Sequence, residues 1–197
     1  MLDADAARQF FAGDVLVEEK LDGANVALWL DDDSIVQVAT RGGAAAQDRA
    51  GQRGPLRRWA AEHSDALRAL LDGGWALYGE WLWRSHGVRY SRLPDWLVGL
   101  DLWHPELQWA KIEERDERLM RGGVGVPPRL ADWTHLKGAD EVHRLIALTA
   151  YGESVGEGAI VRRRDGLEPR LAKVVSTDFA RPGDDHWRRG ERNALAR

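Results

Sequence analysis

Cysteine is absent from this 197-residue chain. That excludes disulfides, thiolate nucleophiles and cysteine-ligated zinc. Lysine is scarce: Lys20, Lys111, Lys137 and Lys173 are the only four, against 24 arginines. A guanidinium does not lose its proton in a protein, whereas a lysine amine can, and it is then a nucleophile. A chain that writes nearly every positive charge as arginine therefore invites the question of what each amine is for. No stretch approaches 18 continuous apolar residues, and Met1–Arg8 lacks a basic segment followed by an apolar run. The expectation is a soluble cytoplasmic protein with no membrane attachment. Surplus positive charge is missing too. A formal net charge of −4 argues against coating nucleic acid by bulk electrostatics. The clusters Arg57-Arg58, Arg162-Arg163-Arg164 and Arg188-Arg189 still leave room for a local basic groove.

Apolar residues make up 44% of the chain, enough for a core, and ten are tryptophans. Most of these rings belong inside, and a few are free to stack on bases. The length suits one large domain or two small ones; no internal repeat or interdomain linker is visible, so residues 1–197 read as a single domain.

The pattern predicts a short lead-in helix over 1–13, anchored by Phe10 and Phe11, then strands over Val15–Lys20, Val26–Leu30 and Ile35–Thr40. Asp31-Asp32-Asp33-Ser34 reads as a solvated hairpin tip rather than a metal site, since nothing nearby is spaced to ligate. Residues 44–54 read as loop. One helix is predicted over Pro55–Leu71, with Pro55 at its first position, Gly73-Gly74 as its stop and an apolar stripe that makes His63 structural. Further strands are expected over 75–83, 96–103, 124–130, 157–163 and 170–175, a polar loop over 84–95, and helices over 107–122 and 140–148. The 107–122 helix should carry solvated i,i+4 ion pairs.

The most informative stretch is Glu18-Glu19-Lys20-Leu21-Asp22-Gly23-Ala24-Asn25. One strand delivers a lysine to a polar turn and a second strand leaves it. Gly23 permits a sharp bend or a close approach. Read alone, it is compatible with an ordinary hairpin turn. Two other strands carry acids that apolar surroundings rarely tolerate without a partner: Glu80 in Trp75–Trp83, and Glu157 ahead of Gly158-Ala159-Ile160-Val161.

Lys-Leu-Asp-Gly-Ala-Asn resembles motif I of the covalent nucleotidyltransferases, the ATP-dependent DNA and RNA ligases and the capping enzymes, and most closely the RNA ligase 2-like branch. Companions follow in that family's order. Thr40-Arg41-Gly42 is similar to its arginine segment, although an exposed arginine in a glycine turn reads the same way. Tyr78-Gly79-Glu80 is similar to motif III, Trp96–Trp103 to motif IIIa, Glu157-Gly158-Ala159-Ile160-Val161 to motif IV, and Ala172-Lys173-Val174-Val175 to motif V. Two departures stand out. Leu97 and Leu100 occupy places where the family often has phenylalanine, leaving Trp96 as the aromatic candidate to stack on adenine. Motif V has Leu171, with Arg170 beside it, where a first lysine is common.

The resemblance implies an α+β, ATP-grasp-like nucleotidyltransferase domain: two antiparallel-rich sheets flanked by helices, with the nucleotide between them. It implies Lys20 as the catalytic nucleophile that takes AMP from ATP. Glu19, Asp22, Gly23, Asn25, Arg41, Glu80, Trp96 and Lys173 would bind nucleotide, and Glu157 with Glu80 would hold Mg²⁺ or Mn²⁺. The AMP would then pass to a 5′-phosphate end of RNA or nicked nucleic acid, for attack by a 3′-OH. Arg41 and the tail residues Trp187, Arg188 and Arg189 are the expected nucleic-acid contacts, although a tail packed on the sheet fits the same residues. The 22 residues after motif V are too few for an OB-fold or a helical domain, so the expectation is a stand-alone domain that relies on a partner protein or a pre-structured RNA for grip. Two alternatives stay open: a DNA ligase or capping-type relative, and a non-catalytic module that binds nucleic-acid ends.

Overall fold

The structure is a computed structural model that describes residues 4–40, 51–165, 170–179 and 190–196. Its strands form two antiparallel sheets. The first, in the order β7-β1-β8-β9, contains β1 (Val15–Lys20), β7 (Arg129–Thr134), β8 (Gly158–Arg163) and β9 (Leu171–Val175). The second, in the order β3-β2-β4-β5-β6, contains β2 (Ala24–Leu30), β3 (Val36–Thr40), β4 (Ala76–Trp81), β5 (Leu97–His104) and β6 (Gln108–Trp109).

Helices cover the outer face of each sheet. Helix α1 (Ala4–Phe10) and helix α5 (Ala139–Leu145) close the first: Phe10, Phe11 and Val142 pack with Val15, Val17, Ala159, Val161 and Val174. Helices α2 (Arg53–Glu62), α3 (Ser64–Leu71) and α4 (Ile112–Arg121) close the second. There Leu56, Trp59, Leu67, Leu71 and Leu119 pack with Val26, Leu28, Leu77 and Trp81. Strand alternation makes this possible, sending Val15 and Val17 outward and Leu16, Glu18 and Lys20 to the inner face. The predicted class, α+β with two antiparallel sheets flanked by helices, is the one observed.

Several local readings change. The lysine turn is not a hairpin: β1 pairs with β7 and β8, β2 pairs with β3 and β4, and Leu21–Gly23 carries the chain from one sheet to the other. The single helix over 55–71 is two. It bends at His63, which leaves helical geometry at φ −106° and ψ 17°, while its ring stacks on Trp59 at 4.2 Å and its Nδ1 lies 2.8 Å from the Trp59 carbonyl oxygen. Pro55 is the third residue of the first turn rather than the first. The charged helix starts only at Ile112, because Gln108-Trp109 pairs with His104 and Trp103 as β6. Its surface pairs are as expected, Arg118 to Glu114 at 3.2 Å and Arg121 to Glu117 at 2.6 Å. The strand placed at 124–130 begins at Arg129. Pro127 and Pro128 have no N–H to donate, and the Pro128 carbonyl instead accepts from the Glu19 amide at 2.8 Å.

Candidate active site

The inner faces of the two sheets enclose a cleft of about 850 Å³, within the size range of small-molecule sites. Lys20 ends β1 at its mouth and pairs with the carboxylate of Glu157, on the segment opening β8. The pairing follows from register, since Lys20 lies opposite Gly158. Gly158 itself is dictated by space: a Cβ there would lie 2.2 Å from the Val174 carbonyl oxygen of β9. Lys173, exposed, faces the same cleft from β9, opposite Ile160.

The crossover is held from the second sheet. The Gly23 amide donates to Glu80 Oε1 at 2.9 Å. A Cβ on Gly23 would sit 2.6 Å from the Trp81 carbonyl oxygen and 2.7 Å from Leu82 Cδ2, so no other residue fits there without displacement. Asn25 lies opposite Glu80 in register, and its Nδ2 reaches the Gly79 carbonyl at 3.4 Å. The Asp22 carboxylate takes the Gly87 and Val88 amides, the latter at 2.9 Å. Asp22 is thus engaged in pinning the loop over the turn. Glu80, which receives the Gly23 amide, is itself perturbed. Burial pushes its pKa up to about 7, against the opposing pull of the Gly23 N–H and the Lys20 ammonium, with Asp22 and Glu157 adding to the rise.

At the other end of the cleft lies a buried ionic network that the sequence reading missed. The Glu18 carboxylate receives Arg115 from α4 and Arg162 from β8. Arg162 also bonds Asp101 of β5 at 2.8 Å and the Leu100 carbonyl at 3.0 Å. Arg115 reaches Asp116, which binds Arg129 of β7. Burial alone would raise the Glu18 pKa, but the guanidiniums of Arg162 and Arg115 outweigh it and hold it below the usual value. The network ties both sheets and α4 together. The Arg162–Arg164 run is therefore not a basic groove: Arg162 is buried, Arg163 pairs with Asp165, and Arg164 lies over the Trp133 ring.

Two further site assignments need correcting. Trp96 does not reach the cleft; it is 8% exposed and packs edge-on against Trp83 in the core of the second sheet. The aromatic rings that do line the cleft with Leu100 and Ile160 are Tyr78 and Trp109, 5.4 Å apart, with the Arg170 guanidinium 4.7 Å above Trp109. Glu19 contributes to the wall, but alternation turns its carboxylate to the outer face, where one oxygen accepts the Ala150 amide at 3.0 Å and burial raises its pKa. Arg41, Trp187, Arg188 and Arg189 lie outside the described residues. His86 and Gln52, unremarked in sequence, also border the cleft, their side-chain nitrogens 3.2 Å apart.

Among the described residues no group of three acid or histidine side chains converges as a metal cage, and no helix is long and apolar enough to cross a membrane. Magnesium needs no such cage: it takes one or two carboxylates and completes its shell with water and phosphate. Glu157 and Glu80, hard oxygen donors on one cleft, fit that demand.

Two facing antiparallel sheets with a lysine on the cleft between them characterise this fold. Solved structures of the Naegleria gruberi RNA ligase share it. A lysine-to-alanine variant of that ligase with ATP and Mn superposes with a TM-score of 0.67 at 18% identity, covering 89% of this chain and 53% of that one. The ligase with PPi gives 0.66 at 18% identity, again over 89% and 53%. A lysine-to-methionine variant with AMP and Mn gives 0.63 at 17% identity over the same shares. The chain thus spans about half the length of these structures. No curated protein matches it. The family model for RNA ligase matches residues 13–175, and the chain belongs to the RNA ligase family.

Proposed function

We propose that this chain is the adenylyl-transferring unit of an ATP-dependent RNA ligase, of the RNA ligase 2-like branch, and works through a lysyl-AMP on Lys20. The observation that carries this reading is the lysine itself: one of four in the chain, it stands at a cleft mouth in contact with Glu157, with Glu80 and Lys173 on the same walls. The Lys20 amine, once deprotonated, attacks the α-phosphorus of ATP; the bond to the bridging oxygen breaks and pyrophosphate leaves with the electron pair. Glu157, already touching Nζ, is placed to accept the amine's proton. Lys173 offers positive charge to the phosphates. A 5′-phosphate oxygen of the nucleic acid then attacks the lysyl phosphoramidate and frees Lys20. Finally a 3′-OH displaces AMP and the phosphodiester forms.

Glu157 and Glu80 would hold Mg²⁺ or Mn²⁺, which neutralises phosphate charge when bound. The adenine would meet Tyr78 and Trp109, the aromatic side chains on the cleft lining, in place of Trp96. Asp22, Gly23 and Asn25 shape the wall beside the nucleotide. RNA is the proposed substrate, with Arg41, Trp187, Arg188 and Arg189 as its proposed contacts on grounds of charge and stacking. A partner protein would add grip, and the cytoplasm, where ATP and RNA meet, is the proposed location.

The test is direct. The protein is incubated with labelled ATP and Mg²⁺ or Mn²⁺, then offered RNA, DNA and hybrid nicks. Transfer of label to protein and sealing of RNA-containing nicks is the expected result. A labelled protein that accepts only DNA, or an adduct formed from GTP alone, would point instead to a DNA ligase or a capping-type relative. No label at all would leave a non-catalytic end-binding module.

A further inference from the structure

The crossover that presents Lys20 rests on the loop between β4 and β5, and that loop is fastened by residues 190–196. Asn193 is the centre of the fastening. It is 4% exposed. Its Oδ1 accepts the Tyr90 amide at 3.0 Å and its Nδ2 donates to the Leu82 carbonyl at 2.9 Å. Its own amide donates to the Trp83 carbonyl at 3.1 Å, and the next amide, Ala194, to the Tyr90 carbonyl at 3.0 Å. The Arg192 guanidinium carbon lies 3.8 Å from the Trp83 ring centroid and 5.0 Å from that of Trp96. Gly190 comes so close that a Cβ would sit 2.0 Å from the Ser85 carbonyl oxygen.

Both residues that Asn193 grips also meet the lysine turn. Tyr90, 1% exposed, accepts the Asp22 amide on its Oη at 2.7 Å. Leu82 is one of the two walls that leave Gly23 no room for a Cβ. The Asp22 carboxylate binds back to the same loop through Gly87 and Val88. A continuous path of hydrogen bonds and packing therefore runs from Asn193 through Tyr90 and Leu82 to Asp22 and Gly23, and so to Lys20. A buried amide that satisfies two backbone groups on one loop fixes that loop's geometry rather than merely its attachment.

We propose that Asn193 is a positioning residue for adenylyl transfer: the 190–196 segment sets the geometry of the Lys20 turn through Tyr90. This rests on the lysyl-AMP reading above. It also gives residues 190–196 a role different from gripping a polynucleotide, with Arg192 packed beside Trp83 and Trp96.

The test uses the full chain with Asn193→Ala, Tyr90→Phe and the double variant. Single-turnover lysyl-AMP formation is followed by mass against ATP concentration, at a temperature well below each variant's Tm. The rate constant at saturating ATP should fall about tenfold in each single variant, while the final yield stays at one AMP per chain. The ATP concentration giving half-maximal rate should move by less than about threefold. The double variant should lose little more than the worse single one, because both act on one path. A purely structural role would lower the yield with the folded fraction and leave the rate constant alone, which would overturn the proposal. Tyr90→Phe guards against a misfolded Asn193→Ala, since it keeps the buried ring and removes only Oη; a normal rate in that variant also overturns it. A wild-type chain that takes up no AMP overturns the functional reading and this inference with it. A wild-type chain that does, with variants at its own rate, overturns this inference alone.

Discussion

The two ends of the cleft treat buried acids in opposite ways. At the deep end Glu18 meets two guanidiniums, and its pKa is held down. At the mouth Glu80 meets one backbone N–H and feels Lys20, which pairs with Glu157, only through space, and its pKa is pushed up to about 7. Both acids are buried in strands; the difference is the compensation supplied. A carboxylate matched by arginines is a clamp, and has no spare valence for a ligand. A carboxylate left short of positive charge is poised to receive a cation or to hold a proton. One end of the cleft therefore holds the sheets in place, and the other end is kept hungry for charge.

The comparison breaks most sharply if the clamp is opened. Arg115→Ala should cost about 3–5 kcal/mol of stability, since it leaves Glu18 buried with one partner fewer; urea unfolding with an unchanged m-value reads this. The same substitution at the mouth should act on rate instead. Glu157→Ala is expected to slow lysyl-AMP formation about 10²–10³-fold while moving Tm little, by a quench-flow assay at saturating Mg²⁺.

The pH dependence sharpens the contrast, because the two acids shift in opposite directions. Glu80 has a folded pKa above its unfolded value, so the folded state binds more protons than the unfolded one between about pH 4.5 and 7. Its contribution to stability is present at low pH and is lost as pH rises through that window. Glu80→Gln should remove a slope amounting to about 3 kcal/mol across the window, read from urea midpoints at several pH values. Glu18 has the opposite sign: its contribution stands above the unfolded pKa and is lost as pH falls through the lower, folded one. Smallest of all, Trp109→Ala should raise the ATP concentration needed for half-maximal adenylylation about three- to tenfold, whereas Trp96→Phe should leave it unchanged.

The mouth was the legible end. Lys20, Glu80, Glu157 and Lys173 each sit in a short local pattern, and a charged residue in an apolar strand shows itself in any sequence. The clamp was not legible, because Glu18 meets Arg115 and Arg162 across 97 and 144 residues of separation. Arg162 did offer a signal that went unused: it stands two residues beyond Ile160 on the same face of an apolar strand. Period-two patterning located the strands but not their neighbours, which is why the lysine turn, taken alone, was compatible with a hairpin when it is a crossover. Trp96 failed for a related reason. It precedes the first residue of β5, and only the packing against Trp83 and Arg192 decides where its ring goes. Nothing local announced that Asn193 would reach back to Tyr90.

The central claim is that the scarce lysine at the mouth is the atom that does chemistry. The measurement that tests it most directly is intact mass after incubation with ATP and Mg²⁺, for the wild type and for Lys20→Arg. The wild type should gain one AMP, mapped to Lys20 by peptide fragmentation. Lys20→Arg retains the positive charge beside Glu157 but offers no nucleophile, and should gain none at unchanged Tm. An AMP adduct that persists in Lys20→Arg, or that maps to Lys111, Lys137 or Lys173, would contradict the account.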